Sequence, residues 1–116
     1  MGTNSKEKAL SISSFAFEKK AEDTVILDMQ KVSSFCDYFV ISSASSFKKT
    51  KAIAAHIRDS LSKRKIKPHH VEGEREGQWI LLDYGDVVAH IFYEEVRQFY
   101  GLERLWGDAE QIEVSS

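Results

Sequence analysis

The tightest constraint in this sequence is the stretch from Gln78 to Phe92. Two apolar runs, residues 78–84 and 87–92, are separated only by Gly85 and Asp86. A two-residue connection between runs of strand-forming residues makes a β-hairpin. Glycine in its first position suits a type II′ turn, which needs a positive φ there. So short a loop leaves the register no freedom: Tyr84 is set opposite Val87, Asp83 opposite Val88, Leu82 opposite Ala89, Leu81 opposite His90, Ile80 opposite Ile91 and Trp79 opposite Phe92. Side chains alternate between the faces of a strand. Ile80, Leu82, Tyr84, Val87, Ala89 and Ile91 therefore share one face, a core face that needs a helix over it. Trp79, Leu81, Asp83, Val88, His90 and Phe92 share the other, with Asp83 and His90 as diagonal neighbours within reach through a water or a twisted contact.

Two readings of that second face stay open. A further helix covers it and Asp83–His90 is a satisfied polar pair, or it is a partly exposed aromatic patch on which a partner docks, since Trp, Tyr and Phe are favoured interface anchors.

The remainder of the chain supplies material for an α/β fold. Residues 6–21 read as a helix of weak periodicity, with Leu10, Phe17 and Ala21 near one side and Ser11, Ser13 and Ser14 lowering its propensity. Residues 24–29 and 38–42 read as buried strands, joined by a polar loop over 30–37. Ser45 or Ser46 caps a long amphipathic helix over 47–66, in which Ile53, Ile57 and Leu61 recur every fourth residue beside Ala54. Pro68 ends it. A short strand over 69–72, a turn over 73–77, the hairpin, a helix over 94–100 with Gly101 as C-cap and a short turn over 102–106 follow. The polar tail 107–116 is expected to fray. Together these make an α/β fold, and 116 residues make one domain, 1–116.

A chain of this length buries about two-thirds of its unfolded surface and needs no staple. Cys36 is the only cysteine, so no internal disulfide forms, as suits a reducing compartment. No apolar run approaches the ~18 residues of a membrane span, so no membrane partner is expected. The start, MGTNSKEKAL, has no signal core, carries Lys6 where a myristoylation site needs Ser or Thr, and is not an Arg-rich presequence. A cytoplasmic protein is expected, although a processed organelle protein would read the same. The net charge of −2 hides an asymmetry. Residues 48–67 hold eight bases and one acid, whereas residues 72–116 hold eleven acids and three bases. The first stretch suits phosphate or another acidic surface, the second a basic protein, and each is equally explained as a solvated surface.

Catalytic and metal chemistry finds little footing. Asp83, Asp86 and His90 are ligand types, but Asp86 sits in the turn and His90 four residues along the returning strand, about 13 Å away at the usual rise. His69 and His70 alternate to opposite faces. Asp37 beside Cys36 raises a thiol pKa rather than lowering it. No Gly-rich phosphate loop, His-Glu-x-x-His or Gly-x-Ser-x-Gly occurs. No cofactor, metal or catalytic residue is expected.

The stretch VEGEREGQWILLDYGDVVAHIFYEEVRQFYGLERLW nevertheless resembles the signature of the Iojap-like ribosomal silencing factors. The matching positions are Glu72-Gly73, Trp79, Asp83, Gly85-Asp86, His90, Phe92, and the close made by Arg97, Tyr100, Leu102, Glu103, Leu105 and Trp106. VILDM and CDYFVISSASS match upstream, so the resemblance covers about 21–109. Phe47-Lys48-Lys49 departs from the family pattern. The resemblance implies a mixed five-stranded sheet of nucleotidyltransferase-like fold without the catalytic Gly-Ser and paired carboxylates. It further implies a factor that binds the large ribosomal subunit through ribosomal protein fourteen, blocks subunit joining and represses translation, with relatives serving organelle ribosomes. Set beside the hairpin register, it makes Trp79, Leu81, Asp83, His90, Phe92, Tyr100, Leu105 and Trp106 the expected partner-binding surface. Such a surface can also pair with itself, giving a homodimer when free. A divergent nucleotidyltransferase and an RNA-binding module using the 48–67 bases are the alternatives.

Overall fold

A computed structural model of the protein describes residues 4–101, 107 and 109–112, with the side chains of Phe99 and Tyr100 outside that description. The elements run α1 (Ser5–Glu18), β1 (Glu22–Asp28), β2 (Tyr38–Ala44), α2 (Phe47–Ser62), β3 (His70–Glu72), β4 (Trp79–Asp83), β5 (Val87–Tyr93), α3 (Glu94–Tyr100) and β6 (Glu110–Ile112). The strands form one mixed sheet in the order β3-β4-β5-β2-β1-β6. β2 and β5 are parallel and every other pair is antiparallel.

The sheet has six strands rather than the five expected. The added strand is the segment expected to fray: Ile112, Gln111 and Glu110 pair with Ile26, Leu27 and Asp28. Its residues carry almost no strand signal of their own, and β1's open edge supplies the hydrogen bonds. The hairpin register is the one the loop demands, from Trp79 opposite Phe92 to Asp83 opposite Val88. Gly85 takes φ +89 and Tyr84 N–H donates to the Val87 carbonyl at 2.9 Å.

Both long helices lie on one face of the sheet. Ser46 caps α2 by accepting from Lys49 N–H at 3.1 Å, and Thr50, Ile53, Ala54, Ile57 and Leu61 are its buried line. That line meets Ile80, Leu82, Tyr84, Val87, Ala89 and Ile91, all 0–3 % exposed, which is the core face read from the hairpin. α2 stops at Ser62, before the expected end at Ile66, because Lys65 turns left-handed (φ +63) and Ile66 N–H returns to the Leu61 carbonyl at 3.0 Å. α1 ends the same way at Lys20 (φ +61), with Ala21 N–H on the Ala16 carbonyl. Its buried face is Ala9, Ile12, Ser13 and Ala16, while Leu10 and Phe17 are exposed. Three of these four buried side chains are small, Ser13 included, so hydropathy alone does not pick the rotation of α1.

Candidate functional site

Neither α1 nor α2 lies on the opposite face of the sheet. The registers place Trp79, Leu81 and Asp83 of β4 beside Phe92, His90 and Val88 of β5, then Ile41 and Phe39 of β2, then Val25 and Leu27 of β1. The two open readings of this face meet in the middle. Phe92, Ile41, Leu27, Met29 and Cys36 form a second buried cluster, roofed by the segment after β1 and edged by Val96 of α3. Trp79, Leu81, Asp83 and Val88 stay half-exposed, while His90 (4 %) and Phe92 (0 %) are buried beneath them.

Trp79 is pinned in place. Its ring stacks on Phe92 at 4.9 Å between centroids, and its Nε1–H donates to His90 Nδ1 at 3.0 Å. That bond makes Nδ1 the acceptor, so neutral His90 carries its proton on Nε2, which is buried without a hydrogen-bond partner among the described residues. Phe39 packs edge-on against the imidazole at 4.6 Å. The Asp83–His90 pair, one of the two open readings, is thus replaced by a bond from Trp79 to His90. Asp83 Oδ1 instead accepts from Gly85 N–H at 2.8 Å and braces the hairpin turn.

Burial pushes the His90 pKa down to about 4, against the upward pull of the Asp83 carboxylate. The folded state therefore holds the neutral ring while the unfolded chain protonates near 6.5. Because the unfolded state takes up the proton first, stability is complete above pH 6.5 and falls as the pH drops towards 4. The full slope is about 1.4 kcal/mol per pH unit. Denaturation midpoints at pH 7 and pH 5 should differ accordingly, and His90→Gln should flatten that difference. An equal pH dependence in the variant would assign the effect elsewhere.

The turn also ties distant parts together. Asp86 holds Lys8 of α1 at 2.7 Å, and its carbonyl accepts from Asp37 N–H and Tyr38 N–H at 2.7 and 3.2 Å. Arg97 reaches from α3 to the Asp23 carbonyl at 2.6 Å and Ser43 Oγ at 3.1 Å, at the point where β1 bulges and Asp23 takes φ +50. Arg97 thus seats α3 against β1 and β2, a role its place in the sequence does not announce. The side chain of Tyr100, and Leu105 and Trp106 entirely, lie outside the described residues.

The reactive residue types have structural duties. Asp83 and Asp86 serve the turn and Lys8, and among the described residues no group of three His, Cys, Asp or Glu is placed to hold a metal ion. Burial pushes the Cys36 thiol up, a hydrogen bond with Ser33 lowers it, and the Asp37 and Asp83 carboxylates raise it further. Lys48, Lys49 and Lys51 are exposed on α2, across the sheet from Trp79, while Arg58 pairs with Glu74 at 2.6 Å and Lys63 with Asp59 at 3.5 Å.

Comparison with known proteins places this geometry. The family model described as "Ribosomal silencing factor during starvation" matches residues 3–116. The ribosomal silencing factor RsfS of Bacillus subtilis is 45% identical over 92 residues, 79% of this chain and 78% of that protein. The chloroplastic protein Iojap of Zea mays is 34% identical over 106 residues, 91% of this chain but 46% of its own length. A crystal structure from Bacillus halodurans superposes with a TM-score of 0.83 at 33% identity, covering 96% of this chain and all of that one. One from Chromobacterium violaceum gives 0.88 at 26%, covering 98% and 94%.

Proposed function

The chain belongs to the ribosomal silencing factor family, and on that premise we propose that it docks on the large ribosomal subunit through ribosomal protein fourteen, sterically prevents subunit joining and so represses translation. The family is one of regulatory, ribosome-associated factors rather than enzymes. The observation that carries the mechanism is the face of the sheet opposite α1 and α2, on which Trp79, Leu81, Asp83 and Val88 remain half-exposed above a packed layer. An aromatic anchor held by a stack and a hydrogen bond is already in one rotamer, so little entropy is lost on docking. His90 and Phe92 act from below by fixing Trp79, and Tyr100, Leu105 and Trp106, whose side chains lie outside the described residues, are further partner contacts on the strength of the family motif alone. The acidic residues of the C-terminal half suit a basic ribosomal protein. A bacterial cytoplasm is the natural location, and the free chain pairs with itself through the same face.

Two measurements test this. Added to separated subunits, the protein should co-sediment with free large subunits and lower the yield of joined ribosomes, and unchanged joining at saturating protein would refute the steric mechanism. Trp79→Ala should weaken that co-sedimentation roughly 30-fold, the equivalent of about 2 kcal/mol for a central aromatic anchor. The comparison is made well below the melting temperature, since Trp79 also covers Phe92. Full affinity in the variant would remove this face from the contact.

A further inference from the structure

Phe35 is 91% exposed, far more than any other large apolar side chain described, and it does not stand alone. It sits at the tip of the segment joining β1 to β2, whose Met29, Val32 and Cys36 pack into the cluster beneath the docking face. The tip is fastened on both sides. Ser33 N–H donates to the Met29 carbonyl at 2.8 Å, Phe35 N–H to Ser33 Oγ at 3.1 Å, and Met29 N–H to the Asp37 carbonyl at 2.7 Å. The next residue, Cys36, is only 8% exposed, so burial of one neighbour holds the other outward. A single exposed hydrophobe is ordinary. An aromatic ring presented by a bonded turn, whose own Val32 and Cys36 pack with Phe39 and Val88 in the cluster beneath the docking face, is a built feature.

Its surroundings select the partner. Asp28 ends β1, Asp37 precedes β2, Asp83 ends β4 and Asp86 lies in the turn, so four carboxylates gather at this end of the sheet. Among the described residues, the basic groups at this end include Lys8, already held by Asp86, Lys31 in the segment itself, and His69, whose backbone N–H donates to the Asp83 carbonyl at 2.7 Å. Trp79 lies at the other end of β4, about 13 Å from Asp83 at the strand rise. A standard interface covers about 800 Å² on each partner and spans both.

We infer that Phe35 is a second anchor of the docking face, an aromatic knob within an acidic rim that seats in an apolar socket of a basic, lysine- and arginine-rich protein surface. The inference rests on the docking proposed above and adds to it the far end of the sheet and the chemistry of what meets it. The carboxylates draw the basic surface in and exclude phosphate, which makes protein rather than RNA the occupant.

The test uses the full chain with free large ribosomal subunits, and separately with protein-free large-subunit RNA. Phe35→Ser should weaken subunit binding by about tenfold or more with an unchanged melting temperature at a concentration where the chain is monomeric, because the ring is 91% exposed in the single chain. Phe35→Leu, which keeps an apolar knob, should retain most of the affinity. If Phe35→Ser binds as the parent does while Trp79→Ala is weakened, the second anchor is refuted and the docking face stands. If neither variant is weakened, the docking face itself falls, and this inference with it. Loss of binding to the protein-free RNA in Phe35→Ser would place the knob on nucleic acid and overturn the assignment.

Discussion

Gly73→Ala should destabilise the protein by on the order of 3 kcal/mol or more and should impair docking as well, through Trp79. Gly73 adopts φ +73, where an L side chain is strained by about 1–3 kcal/mol. A Cβ built there falls 2.0 Å from the Trp79 carbonyl oxygen and 3.0 Å from its carbon. Both are backbone atoms, so no side chain can swing aside, and either β3 peels from β4 or the start of β4 shifts. A shift carries Trp79 off Phe92 and away from His90, which is how the Glu72-Gly73 pair and the tryptophan six residues later come to belong to one motif. The expected fall in melting temperature is more than about 10 °C for a domain of this size. Gly85→Ala is the informative control. It shares a positive φ, but its Cβ meets only the His69 ring, at 3.0 Å, and that ring can turn away. Equal melting temperatures for Gly73→Ala and the parent would show that the turn after β3 can be rebuilt without moving β4.

How much of this was legible follows from what each signal depends on. The hairpin was readable to single-residue register because a two-residue loop allows one alignment, and α2 because Ile53, Ile57 and Leu61 face the sheet in a regular period. The rotation of α1 was not, since its contact side is chosen by small residues that pattern reasoning counts as weak. β6 was not, because three residues at an edge take their structure from the strand they meet. At the site, the face bearing Trp79, Leu81 and Asp83 was readable from alternation, but its division into an exposed strip over a buried His90 and Phe92 was not. That division comes from the segment after β1 folding back on the sheet, a long-range contact no local pattern encodes. Phe35 was missed for the same reason: in sequence it is one apolar residue in a polar loop, and only the burial of Cys36 beside it shows that it is presented outward.

Leu82→Ala and Leu81→Ala change the same side chain at adjacent positions and should behave oppositely. Leu82 is fully buried between the sheet and the two long helices, amid Ile80, Ala89 and Leu61. Truncation there removes buried methyl groups and leaves a cavity the close-packed layer cannot fill, at a cost of about 2–5 kcal/mol. A domain of this size has about 5–15 kcal/mol in total, so the variant should melt well below the parent. The molecules that remain folded should bind the large subunit with unchanged affinity, because Leu82 contributes nothing to the open face. Leu81 points the other way and is half-exposed, so Leu81→Ala should shift the denaturation midpoint little while weakening co-sedimentation with large subunits. Measured side by side at a temperature where both variants are folded, the pair separates loss of fold from loss of contact. A Leu82→Ala protein that melts like the parent, or a Leu81→Ala protein that loses stability rather than affinity, would mean that the two faces of β4 have been assigned the wrong way round.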